Sequence, residues 1–178
     1  MLAGRITDWE GVVAVLFLST TIFSLLFQVR FTRWFGARTS RGTAITTGLA
    51  LMGGAFVVML PALWADPGST AAQVTLAMVP LVVSALVLEA GIMIAQPFVM
   101  EMIPSYGNSS ISGTLFGMFY LVSGVAAAGG NALIGYGIEI GNGWPGAVVC
   151  IALGMGSAVG IWLLQRRHML ADPTGVKA

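Results

Sequence analysis

The sequence predicts an all-α, polytopic transmembrane bundle with five spanning helices. Of its 178 residues, 57% are hydrophobic and only 8% are charged, whereas soluble domains carry about 25% charged residues. Five apolar runs are each long enough to cross the hydrocarbon core of a bilayer, which takes about 20 residues of helix. They lack the alternation of a membrane barrel, and backbone groups in lipid must be bonded within their own segment, so helices are expected.

The predicted spans are separated by short polar or turn-rich stretches, and together they form one transmembrane domain. We predict helices at about 11–29, 43–63, 74–100, 113–138 and 146–164, followed by a polar cytoplasmic tail at 165–178. Pro61 is expected to end the second helix, and the step Asp66-Pro67-Gly68 favours a turn after it. The first ten residues, MLAGRITDWE, lack the pattern of a cleavable signal peptide.

The basic residues predict the orientation. Seven of the eight fall on one side of the predicted membrane, and they are Arg30, Arg33, Arg38, Arg41, Arg166, Arg167 and Lys177. Only Arg5 falls on the other side. Because arginine and lysine accumulate in cytoplasmic loops, we expect a multi-pass protein of the cell (inner) membrane, with its N-terminus outside and its C-terminus in the cytoplasm.

Several classes of function are disfavoured. The single cysteine, Cys150, and the single histidine, His168, argue against a disulfide and against a zinc centre. A net charge of +1 gives no general attraction to nucleic acid. No phosphate-binding loop, nucleophile elbow or metalloprotease motif is present. We therefore expect no enzyme activity, no catalytic residues, no bound metal and no cofactor.

Two parts of the sequence carry a family resemblance. The first is the predicted loop within LLFQVRFTRWFGARTSRG, where Arg33, Gly36 and Arg38 form an Arg-x-x-Gly-x-Arg pattern. The second is LVLEAGIMIAQPFVMEMIP followed by SGTLFGMFYLVSGVAAAGGNALIGYG, in which an acidic residue and a proline precede a run of glycines. The residues that match are Glu89, Pro97, Gly113, Gly117, Gly124, Gly129 and Gly135.

Together these features resemble helices eight to twelve of major facilitator superfamily transporters, and the drug/proton antiporter branch most. Thr32 stands where the family's loop usually has an acidic residue. The resemblance implies secondary, proton-coupled export of small molecules, often cationic or lipophilic. It also implies that the first half of a twelve-helix transporter is a missing partner, so we expect no complete transport cycle from this chain alone. The alternative is a non-transporting membrane protein, either an assembly subunit or an inactive fragment.

Glu89 is the foremost candidate for proton coupling or substrate binding. It lies near the middle of the third predicted helix, where a carboxylate is costly unless it faces a cavity or a partner. One interpretation is a proton carrier or a counter-charge for a cationic substrate. The other is a protonated carboxyl group that is hydrogen-bonded to a neighbouring helix.

Other polar and small residues are weaker candidates. Gln28, Thr20 and Ser24 on the first helix and Asn131 on the fourth could line a substrate cavity, or they could bond their own or a neighbouring helix. Pro97 predicts a kink, either a hinge or static. The glycines of the fourth helix predict close packing or a sliding face; they are Gly113, Gly117, Gly124, Gly129 and Gly135. Glu101 is expected to pair with Arg30 or Arg33, or to be solvated.

Overall fold

The structure is a computed structural model that describes residues 11–64, 71–106, 109–140 and 144–167. Its long helices are α1 (Gly11–Arg38), α2 (Arg41–Trp64), α3 (Ala71–Ser105), α4 (Ser112–Ile140) and α5 (Trp144–Arg166), and a 3₁₀ turn at Ser109–Ile111 precedes α4. Every regular element in these ranges is a helix, which confirms the all-α prediction. The predictions for Arg5, the turn at 66–68, His168 and Lys177 lie outside the described residues.

Four of these helices are long and apolar enough to cross a membrane. The corresponding spans, taken over the described part of the chain, are Arg41–Pro61, Met78–Ser105, Ser112–Gly137 and Trp144–Arg166. α1 is not among the spans found over the described residues. At least four helices of this chain are therefore long and apolar enough to cross a membrane.

The helices are longer than predicted, most clearly where α1 meets α2. We predicted a loop containing Arg33, Gly36 and Arg38, but all three lie in the last turns of α1. Arginine is a good helix former and no proline follows the apolar run, so the helix continues. It ends at Arg38, and Ser40 caps α2 by accepting a hydrogen bond from the Thr43 backbone N–H at 3.3 Å.

The ends of the helices define one end of the bundle, which we call the arginine end. Because the connections are short, successive helices run antiparallel. The last turns of α1, α3 and α5 therefore lie beside the first turns of α2 and α4. This end carries Arg30, Arg33, Arg38, Arg41, Arg166 and Arg167.

The centre of the bundle is α2, which packs mainly against α3 and α5, while α1 packs on α3 and α4 on α5. A cluster of buried side chains joins α2 to α3 near the arginine end, and Phe31 and Phe35 of α1 pack against it. The buried members are Ala44, Ile45, Ile94, Phe98 and Met102. This cluster fixes where the face of α3 that bears Glu89 lies relative to α1.

Glycines allow the closest contacts of α2. A Cβ built on Gly154 of α5 would lie 2.5 Å from the Cα of Gly53, and one built on Gly48 would lie 2.7 Å from the carbonyl oxygen of Gly91 on α3. No real Cβ tolerates such distances from backbone atoms. Small residues therefore set the spacing of α2 from both neighbours, as is usual between helices in lipid.

The glycines of α4 do not make the close helix contacts that we predicted for them. A Cβ built on Gly113, Gly117, Gly124, Gly129 or Gly135 would meet no atom of another described helix within 4 Å. Instead α4 places larger residues, such as Leu115, Phe116 and Phe119, half-buried against the bundle. The packing that we predicted from these glycines is therefore not made within the described chain.

One buried hydroxyl links α2 and α3 directly. Ser84 is buried and its Oγ donates to the carbonyl oxygen of Ala55 at 2.7 Å. We expect Ser84→Ala to lower the free energy of unfolding by about 0.6 kcal/mol, the average for interhelical hydrogen bonds in membranes. Unfolding by sodium dodecyl sulfate in mixed micelles measures this change.

The matched control is Ser157→Ala in α5. The Ser157 hydroxyl is exposed and bonds the carbonyl of Leu153 in its own helix at 2.7 Å. Such local bonds add little to helix stability, so this variant is expected to unfold like the wild-type protein. Equal destabilisation by the two substitutions would contradict an interhelical role for Ser84.

Candidate functional site

The candidate site is a cavity of about 380 Å³ between α1 and α3. Ser24 and Gln28 line it from α1, and Glu89, Gln96 and Pro97 line it from α3. It therefore gathers a carboxylate, two amides and a hydroxyl beside an apolar span, Met78–Ser105. The structure brings together four residues that the sequence singled out, namely Glu89, Pro97, Gln28 and Ser24.

Helical periodicity explains why these side chains meet. Glu89 and Gln96 are two turns apart on α3, and Ser24 and Gln28 are one turn apart on α1, so each pair lies on one helix face. Ile92 and Met93 lie between Glu89 and Gln96 and complete the wall. We did not predict Gln96, although its spacing from Glu89 was a signal that the sequence already contained.

The carboxylate of Glu89 is half-buried in this cavity. No described side chain forms an ion pair with it, and the ion pair that the described residues do form, Arg41–Glu101, lies at the arginine end. Gln28 and Gln96 are both exposed, so the cavity opens at the side of the bundle. An unpaired carboxylate among amide groups can hold a cation or take up a proton.

Pro97 changes the backbone hydrogen bonding of α3 beside the cavity. A proline within a helix cannot donate to the carbonyl one turn earlier, which here is that of Met93. Both residues line the cavity, and α3 remains helical through Pro80, Pro97 and Pro104. The carbonyl of Met93, a residue of the wall, thus lacks its usual intrahelical partner.

Two of the predicted cavity residues lie elsewhere. The hydroxyl of Thr20 donates to the carbonyl of Phe17 in its own helix at 3.0 Å, and Thr20 lies one turn beyond Ser24 outside the cavity wall. Asn131 is exposed on α4 and does not line the cavity. The sequence could not separate these residues from Gln28 and Ser24, because it contains no information on which helices are neighbours.

At the arginine end, Glu101 has a different partner from the one we predicted. Its carboxylate accepts a hydrogen bond from the guanidinium of Arg41, not from Arg30 or Arg33. The packing of α2 on α3 brings Arg41 beside Glu101. The guanidinium of Arg38 instead lies 4.9 Å from the ring centre of Trp34.

Known proteins provide no relative for comparison. No protein-family model, curated protein or solved structure matches the chain. Among the described residues, no group of three histidine, cysteine or carboxylate side chains could hold a metal ion. The chemistry of the α1–α3 cavity is therefore the basis for assigning a function.

Proposed function

We propose that this chain is part of a secondary transporter of the major facilitator type, which exports small cationic or lipophilic molecules in exchange for protons. The observation that carries the proposal is the cavity between α1 and α3, with Glu89 unpaired among Gln28, Gln96 and Ser24. A carboxylate within a spanning helix is expensive and is found mainly on ion and substrate pathways. Here Glu89 binds either the cation or the proton, which couples the two fluxes.

The five helices of this chain would form only one wall of a transporter's substrate cleft. In transporters of this kind the substrate site lies near the bilayer midplane, between two repeats. The exposed amide of Gln28 at the cavity mouth supports a facing element, because an amide left in hydrocarbon is costly. We propose that α1 is the fifth spanning helix and that the first half of the transporter covers this side.

The outer face of α4 supports the same partner. Gly113, Gly117, Gly124, Asn131 and Gly135 lie on one face by helical periodicity, and all are exposed. A glycine stripe with an amide is typical of helix–helix contacts in membranes. The alternative of a non-transporting subunit does not explain a polar cavity around an unpaired carboxylate.

The arginine end is proposed to face the cytoplasm, following the positive-inside rule. A protein with Cys150→Ala and Arg167→Cys allows the test, since the chain has one native cysteine. In intact cells, a membrane-impermeant maleimide is expected to leave the new thiol unlabelled until the membrane is opened. Labelling of the new thiol in intact cells would contradict the proposal, because it would show that the arginine end faces the outside.

A binding experiment tests the proposed chemistry. The purified chain in a neutral detergent should bind tetraphenylphosphonium more tightly than uncharged triphenylphosphine oxide. Equal affinity for the charged and uncharged probes would contradict the proposal.

A further inference from the structure

We propose that a phosphate group binds in a second cavity, at the arginine end, and that it belongs to the headgroup of an anionic phospholipid. This cavity has a volume of about 370 Å³ and lies between the first turns of α2 and the last turns of α5. It is separate from the cavity around Glu89, and the inference does not depend on transport. Its lining residues are Thr43, Thr46, Thr47, Trp162, Gln165 and Arg166.

The lining has the groups that a phosphate needs. An ionised phosphate diester only accepts hydrogen bonds, and the wall contains a guanidinium and three threonine hydroxyls, of which that of Thr43 is already bonded to Ser40 and Gln165. Bonds from a guanidinium to a phosphate are charge-assisted and stronger than neutral ones. The wall contains no carboxylate, and Glu101, at the same end, is already paired with Arg41.

The two walls are held in place by contacts within the protein. The amide nitrogen of Gln165 donates to the hydroxyl oxygens of Ser40 and Thr43, at 3.0 Å each, which joins the end of α5 to the start of α2. The guanidinium carbon of Arg166 lies 3.8 Å from the ring centre of Trp162. Gln165 thus links α5 to α2, and the guanidinium of Arg166 stacks on the indole of Trp162 beside the cavity.

An unsatisfied hydroxyl is the second observation. Thr46 lines this cavity, and among the described residues its hydroxyl is one of two buried side-chain groups without a hydrogen-bond partner. Buried polar groups are nearly always paired, so a lone one indicates a missing partner. The start of α2, a 24-residue helix, adds a positive dipole end, which favours an anion.

The position of the cavity selects a lipid over a soluble ligand. It lies where the spans Arg41–Pro61 and Trp144–Arg166 reach the end of their apolar stretch, at the depth expected for headgroups. Tryptophan and arginine are the residues that anchor proteins at this level. Basic pockets between helices on the cytoplasmic side are suited to anionic headgroups.

The experiment measures stabilisation of the purified full chain by lipid. Thermal unfolding is followed in a neutral detergent at about 0.3 M NaCl, which screens non-specific attraction between exposed charges. The midpoint is titrated with phosphatidylglycerol, with diacylglycerol of the same acyl chains, and with inorganic phosphate. We expect phosphatidylglycerol to raise the midpoint and diacylglycerol to leave it unchanged.

Matched variants distinguish binding at this cavity from a general effect of the protein's positive charge. Arg166→Gln is expected to weaken phosphatidylglycerol binding about tenfold, as loss of a charge-assisted bond implies. Arg167→Gln removes the same charge from the next residue, which does not line the cavity, and should change binding less than about twofold, since exposed charges are screened in this salt. Thr47→Val removes a lining hydroxyl at nearly constant volume and should also weaken binding while the lipid-free midpoint stays unchanged.

Three results would overturn the proposal. If Arg166→Gln and Arg167→Gln weaken phosphatidylglycerol binding equally, binding depends on net charge and not on this cavity. Equal stabilisation by diacylglycerol would show that the phosphate is not recognised. Stabilisation by inorganic phosphate alone, with the same dependence on Arg166, would refute the lipid source and leave a soluble phosphate ligand.

Discussion

Replacing Glu89 with glutamine is expected to weaken tetraphenylphosphonium binding about tenfold or more, since attraction between opposite charges about 6 Å apart in a half-buried site is worth about 1–3 kcal/mol. Glutamine keeps the size and the hydrogen-bonding groups of the side chain but not its charge. The cavity between α1 and α3 would then hold only neutral polar groups. Isothermal titration calorimetry of the purified chain measures the change.

Glu139→Gln is the matched control for this variant. Glu139 is exposed, lies near the end of α4 beyond the span Ser112–Gly137, and does not line the cavity. Its substitution removes the same charge and should leave the affinity unchanged. If both variants bind equally well, Glu89 is not the cation-binding group. In a transporter that has both halves, Glu89→Gln should also abolish proton coupling.

Gly154→Ala is expected to destabilise the bundle by about 1–3 kcal/mol, the usual cost of overpacking a well-packed interface. The added Cβ would lie 2.5 Å from the Cα and 2.7 Å from the nitrogen of Gly53. Both are backbone atoms, so α2 and α5 have to move apart as whole helices. Unfolding in mixed micelles measures the loss.

The control for this prediction lies two residues further along the same helix. A Cβ on Gly156 meets no atom of another described helix within 4 Å. Because alanine costs less backbone entropy than glycine in a helix, Gly156→Ala should stabilise the protein by about 0.5–1 kcal/mol. The two variants therefore have opposite signs. The same sign for both would show that α2 and α5 do not approach at Gly53 and Gly154.

Candidate residues on a single helix could be predicted without a structure. Glu89 and Pro97 were identified from α3 alone, because a carboxylate and a proline are unusual within an apolar span, and Ser24 and Gln28 were identified from α1 alone, as polar side chains in an apolar helix. That these two faces meet in one cavity depends on how α1 packs on α3. Thr20 and Asn131 show the limit, since both were equally good candidates and neither lines the cavity.

The sequence by itself determined the helical class and the lipid-compatible composition, because length and hydropathy are local properties of each segment. Only the tertiary structure decided which glycines are contacts. Gly53 and Gly154 meet their neighbours, whereas Gly113 and Gly117, a literal GxxxG pair, meet none in the described chain. A small residue permits close approach without specifying a partner, and which helix approaches is set by the packing of all five.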